Sequence, residues 1–174
     1  MSVAPPLRKA VLTAHVATSV GWLGAVAAYI ALDITAVTTS DADLARGAYA
    51  AMRITALSAI LPLAVASVVI GIVNALATPW GLLRHYWVVV KLLLTVVATA
   101  VLVLETETIR ALADAAASAD DPRQLPGTLA HSVGGLLVLL VVTVLSTYKP
   151  RGLTRYGWRR QREQARREAD RSAA

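Results

Sequence analysis

The chain has 174 residues, 56% of them hydrophobic and only 16% charged, with a mean hydropathy of +0.59 and a formal charge of +6. Nine Lys/Arg and three acidic residues lie from Lys149 onward, so the whole +6 belongs to the last stretch, and residues 1–148 sum to zero. A neutral apolar body with a basic end is not a soluble globular domain. It also excludes a nucleic-acid binder, because the positive charge is terminal rather than spread over a folded face. With no cysteine there is no disulfide framework, thiolate metal site or iron–sulfur cluster.

A bilayer core of roughly 30 Å takes about 20 mostly apolar residues as a helix. Four stretches qualify: about 10–32, 50–77, 86–104 and 128–148. They predict an all-α, polytopic membrane four-helix bundle over residues 1–148, followed by a basic cytoplasmic tail over 149–174. The first stretch follows Arg8 and Lys9 but is longer than a signal-peptide core and carries Trp22, which reads as a retained helix. Pro62 falls mid-span in the second and predicts a kink or tilt. Thr78-Pro79-Trp80-Gly81 predicts a tight turn that makes the second and third helices antiparallel neighbours. Good helix formers continue past residue 104 to about 118, and Asp120-Asp121-Pro122 stops them. Pro126-Gly127 then opens the fourth helix.

Basic residues set the orientation. Arg8, Lys9, Arg84 and the tail fall on one side, whereas Asp33, Asp41, Asp43, Glu105, Glu107, Asp114, Asp120 and Asp121 fall on the other. Both termini are therefore expected in the cytoplasm of a bacterial cell, with the protein multi-pass in the plasma membrane. The tail has helix-forming residues but almost no apolar face, which suits a solvated helix or an arm on anionic lipid headgroups.

Residues at i, i+3/4 and i+7 share a helix face, and polar side chains within a bilayer normally face the bundle interior. The stripes are His15, Ser19, Trp22, Tyr29 and Asp33 on the first helix, and Arg53, Ser67, Gly71 and Asn74 on the second. The third gives Trp87, Lys91, Thr95 and Glu105, and the fourth His131, Gly135 and Ser146. Stacked in alternating directions they form two polar layers. The cytoplasmic layer holds His15, Ser19, Asn74, Trp87 and Lys91, with His85 close by. The outer cluster is Asp33, Arg53, Glu105 and His131, where Arg53 has either carboxylate as a partner. Read as structure, these stripes are packing seams, Lys91 snorkels towards headgroups, and each histidine is an interfacial or hydrogen-bonded structural residue.

Imidazoles on facing helices can ligate haem iron in a four-helix bundle. His15 and His85 are the candidate axial pair for a haem b, with Lys91 near a propionate, although His85 lies about 100° off the polar stripe of its helix. No hydrolase, P-loop or dinucleotide motif is present, and Ser132 beside His131 points to another face, so no catalytic residue is assigned.

The segments HVATSVGWLGAVAAY, TPWGLLRHYWVVVKLLLT and GGLLVLLVVTVLSTYKPRGLTRYGWRRQ resemble a family of small four-helix integral membrane proteins common in actinobacteria. The resemblance spans about residues 10–162 and implies the fold but no activity. More distantly, the arrangement is similar to membrane copper-resistance domains and di-haem cytochrome b bundles, which carry histidines in two layers. That pattern implies a His where this chain has Glu105, so His131 lacks an outer-layer histidine partner. The leading expectation is a non-catalytic accessory or interaction module, with lipid, a second copy or another membrane protein as partner. The alternatives are a b-type haem electron-transfer protein and a small-molecule transporter or sensor built on the outer polar cluster.

Overall fold

The computed structural model describes residues 4–76, 81–150 and 152–172. Of the predicted turn at 78–81, residues 78–80 lie outside the described residues. Four helices are long and apolar enough to cross a membrane: α1 (Pro5–Thr38), α2 (Ala42–Leu76), α3 (Tyr86–Ser118) and α4 (Leu129–Tyr148). A fifth, polar helix, α5 (Arg155–Ser172), carries the basic tail.

Two helices are longer than hydropathy alone predicts. α1 starts at Pro5 instead of about residue 10, because prolines in a first turn lack only N–H groups that have no helical acceptor anyway. It also continues past residue 32 to Thr38. α2 starts at Ala42 rather than about residue 50, because Asp41 caps it, accepting from the Asp43 and Leu44 amides at 2.9 and 3.3 Å. Its first turns are only mildly apolar yet bury Ala45, Ala48, Tyr49 and Met52. Helix length here follows capping and packing, while hydropathy marks only the strongly apolar part.

Pro62 does not break α2. The chain forms a π-turn over Ala56–Ile60, in which the Leu61 amide bonds to the Ala56 carbonyl five residues back. Widening the helix there accommodates a ring that would otherwise press on the preceding turn.

The helices pack in chain order around a ring: α1 on α2, α2 on α3, α3 on α4, and α4 back on α1, with no close backbone approach between diagonal pairs among the described residues. Thr38, Ala42, Ser118 and Leu129 lie at one end (the far end), and Pro5, Leu76, Tyr86 and Tyr148 at the other (the near end). Most of the buried core sits in the far half, around Trp22, Tyr29, Tyr49, Met52, Ile60 and Ile109. Outward surfaces are apolar, and only 6% of the most hydropathic stretch of α4 is buried, so its remaining surface suits lipid rather than water.

The far end is stitched by side chains that reach backbone carbonyls. Arg46 on α2 donates to Ala116 and Ala119 oxygens at 3.1 and 2.9 Å, satisfying carbonyls that the end of α3 leaves open. Tyr49 donates to the Leu125 carbonyl at 2.9 Å, and Arg123 to the Ser40 carbonyl at 2.9 Å. Arg123 also clasps its neighbour Asp121, Nε to Oδ1 at 2.7 Å and Nη2 to Oδ2 at 3.0 Å. At the near end α4 stops at Lys149 in a left-handed conformation (φ 44°), followed by Pro150.

Hydrogen bonding from Arg123 holds the Asp121 carboxyl at about 2, below its ordinary value. A lowered folded-state pKa stabilises the loop above the unfolded value near 4 and loses that contribution as pH falls towards about 2. The Asp121 carboxyl resonance is thus expected to titrate near pH 2 in the native protein and near 4 in Arg123→Ala. Coincident titrations in the two proteins would refute the clasp.

Candidate functional site

Asp33 is the most completely buried charged residue among those described, with 0% exposure. An isolated carboxylate in such a place is costly. Here the fourth helix supplies the compensation. The Thr128 amide, at the N-cap of α4, donates to both Asp33 oxygens at 3.1 and 3.2 Å, and the Thr128 hydroxyl donates to Oδ2 at 2.8 Å. The positive end of the α4 dipole adds to these charge-assisted bonds. The approach requires glycine at 127: a Cβ there would lie 2.8 Å from Asp33 Oδ1 and 2.7 Å from a Val37 methyl. Tyr29, 4% exposed, completes the group with its hydroxyl 2.9 Å from Thr128 Oγ1.

Beside this anchor a cavity of about 360 Å³ opens between α3 and α4, floored by α1 and by the π-turn of α2. Its lining is mainly apolar, including Trp22, Ile60, Val101, Leu102 and Val138. Gly134 and Gly135 form part of the wall on α4, where an added Cβ would meet nothing within 4 Å. The polar lining consists of Tyr29, Thr128, Ser132, Glu105 and His131. Glu105, with its side chain 22% exposed, lies 3.5 Å from Nε2 of His131, which is 60% exposed. No protein-family model, curated protein or solved structure matches this chain. The cavity therefore has to be read from its own chemistry.

The outer cluster expected from sequence is divided in the structure. Glu105 and His131 do meet, because α3 and α4 run antiparallel and bring them to one depth. Asp33 stands behind the cavity wall as an anchor rather than in the lining. Arg53 pairs with neither predicted carboxylate; its Nη1 meets Asp114 Oδ1 at 2.8 Å, with the two side chains 43% and 72% exposed. Asp114 sits on the part of α3 beyond the apolar stretch, where a long guanidinium reaches it without entering the core. Such an exposed pair contributes about 0–1 kcal/mol.

The near-end residues expected from sequence do not line the far-end cavity. Ser19 and Ser67 share a hydrogen bond of 2.8 Å between α1 and α2. One turn nearer the end, His15 packs on Gly71, where a Cβ would come within 2.9 Å of the imidazole Cε1. Lys91 lies over the Trp87 ring, Nζ 5.7 Å from its centroid. His85 precedes α3 and pairs through its backbone with Leu153 of the tail. His15 and His85 thus have separate packing partners, and neither lines the far-end cavity. Among the described residues, no group of three metal-ligating side chains comes together.

The tail is docked at its root rather than free from residue 149 onward. The Thr154 hydroxyl donates to the Leu83 carbonyl at 2.6 Å and its amide to the Arg84 carbonyl at 3.0 Å. Gly157 lies against the Arg84 carbonyl, where no Cβ has room.

Replacing Asp33 with alanine strands the Thr128 donors beneath the surface and is expected to cost roughly 2–4 kcal/mol. Asp43→Ala, at a carboxylate 94% exposed, is expected to stay within about 1 kcal/mol. Reversible detergent unfolding followed by circular dichroism measures both. Equal effects would show that the buried carboxylate is no anchor.

Proposed function

We propose that this protein is a multi-pass component of the bacterial plasma membrane that holds a small, mainly apolar molecule in the far-end cavity, without transforming it. The supporting observation is a chamber of about 360 Å³ between α3 and α4 with polar groups gathered at one end, the ordinary build of a small-molecule site. Its mouth at His131 and its position between two lipid-facing helices suit a ligand that arrives through the bilayer. In this reading the protein works as a carrier, sensor or accessory subunit, and binding is its chemistry.

Orientation follows from charge. Arg8, Lys9, Arg84 and Lys149 gather at the near end, while Asp41, Asp43, Glu107, Asp114, Asp120 and Asp121 outweigh Arg46, Arg53, Arg110 and Arg123 at the far end. By the bias of basic residues towards the cytoplasm, both termini are inside and the cavity lies in the outer half. The basic face of α5, anchored at Thr154, then rests on the inner leaflet, where each Lys/Arg gains on the order of 1 kcal/mol near anionic lipid.

A compact apolar alcohol, 1-adamantanol, tests the site. Full-length protein in phosphatidylcholine nanodiscs is expected to bind it saturably, above partition into empty discs. Gly135→Leu projects a side chain into the open volume and should abolish the saturable component, whereas Gly135→Ala should retain it. Binding that is unsaturable, or unaltered in Gly135→Leu, would contradict the proposal.

A further inference from the structure

The hydroxyl groups around the cavity share one hydrogen-bond sense. Thr128 has a single hydroxyl proton, and it is given to Asp33 Oδ2 at 2.8 Å. In the 2.9 Å bond between Tyr29 and Thr128, Tyr29 must therefore be the donor. With its proton spent, the Tyr29 oxygen has only lone pairs left to present. Ser132 is similarly committed: its hydroxyl is placed to donate to the Leu129 and Thr128 carbonyls at 3.3 and 3.4 Å and to Asp33 at 3.5 Å. The Asp33 anchor thus orients protons away from the chamber and leaves acceptors facing it.

Glu105 strengthens the same polarity. Its carboxylate has about four acceptor positions. Its polar contact is with Nε2 of His131, and 3.5 Å is longer than a good N–H···O bond. A carboxylate largely withdrawn from solvent with spare acceptor capacity is stabilised by an incoming donor, most strongly by a cation. Trp22 and Tyr29 add aromatic rings to the lining, and a ring face attracts a cation. His131 offers a donor, but it stands at the rim and points its Nε2 towards Glu105.

We propose that the far-end cavity recognises an apolar amine, its ammonium directed to Glu105 and its hydrocarbon body against the α3 and α4 walls. The inference rests on the reading of this chamber as a ligand site and specifies the ligand's polar group. Shape and lining set the apolar part, and hydrogen-bond sense sets the head: donors are accepted, and acceptor-only groups meet lone pair against lone pair.

Three probes with the same cage separate these effects: 1-aminoadamantane, a cation with three N–H donors; 1-adamantanol, a neutral donor; and 2-adamantanone, an acceptor only. In phosphatidylcholine nanodiscs, whose lipid headgroups have no N–H, the amine is expected to bind about tenfold or more tighter than the ketone, with the alcohol between them. Glu105→Gln should remove about tenfold of the amine's affinity and change the alcohol's by less than about threefold. Ketone binding equal to or tighter than amine binding, or an amine affinity unaltered in Glu105→Gln, would overturn the inference while saturable alcohol binding still upheld the site. Failure of all three probes to bind would overturn both. Repeating the amine titration in phosphatidylethanolamine identifies the natural source: competition marks a lipid headgroup, and its absence marks a free amine.

Discussion

A single buried carboxylate organises the far half of this bundle. Asp33 belongs to α1, yet the groups it satisfies belong to α4: the Thr128 amide and hydroxyl at the head of that helix. A helix N-terminus has donors without acceptors and a partial positive charge, and a carboxylate in an apolar interior lacks both donors and a counter-charge. Each supplies what the other lacks, so neither is stable there alone. Because Gly127 lets the backbone come to van der Waals distance of Asp33 and Val37, the position of α4 against α1 has little freedom.

That constraint shapes the cavity. The far ends of α3 and α4 are held separately: α3 through Arg46 of α2, α4 through Asp33 of α1. With both helices tied to different partners at the same end, the paired glycines Gly134 and Gly135 leave the space between them open, although small residues on one face commonly bring helices into contact. The π-turn of α2 shapes the floor, since Ala56 and Ile60, which belong to it, line the chamber. The anchor also reaches into recognition. By taking the Thr128 proton it fixes the direction of the Tyr29 hydrogen bond, so a residue outside the cavity decides what the wall presents inside it. The near half is built differently, with His15 on Gly71, one serine pair and a lysine over a tryptophan, a seam of small contacts rather than a locked joint.

Much of this was legible from residue spacing. Apolar runs mark four helices, and Asp120-Asp121-Pro122 marks the end of the third. Stripes at helical spacing put Glu105 and His131 in one layer, where they do lie close; the Ser19–Ser67 bond joins two residues of those stripes that no layer paired. The role of Asp33 was hidden because its partners are a helix-cap amide and the hydroxyl of Thr128, a residue at the helix end that no polar stripe includes. The available signal was positional: a polar residue ending one stripe at the depth where Gly127-Thr128 opens another helix. Arg53 was assigned by stripe to Asp33 or Glu105, but stripes treat side chains as short, and a guanidinium spans to Asp114 on the polar extension of α3. Helix ends were misjudged for a related reason. Proline at a first turn and an aspartate cap lengthen α1 and α2 without adding hydropathy.

In the proposed reading, the space between α3 and α4 is a ligand chamber rather than a gap filled by chance. Anomalous diffraction from crystals grown with 1-bromoadamantane locates an apolar cage without assuming what the natural ligand is. A bromine peak is expected inside the chamber, between Glu105 on α3 and Gly135 on α4, and its loss is expected in Gly135→Leu. Bromine found only on the lipid-facing surfaces, with the chamber empty, would contradict the account.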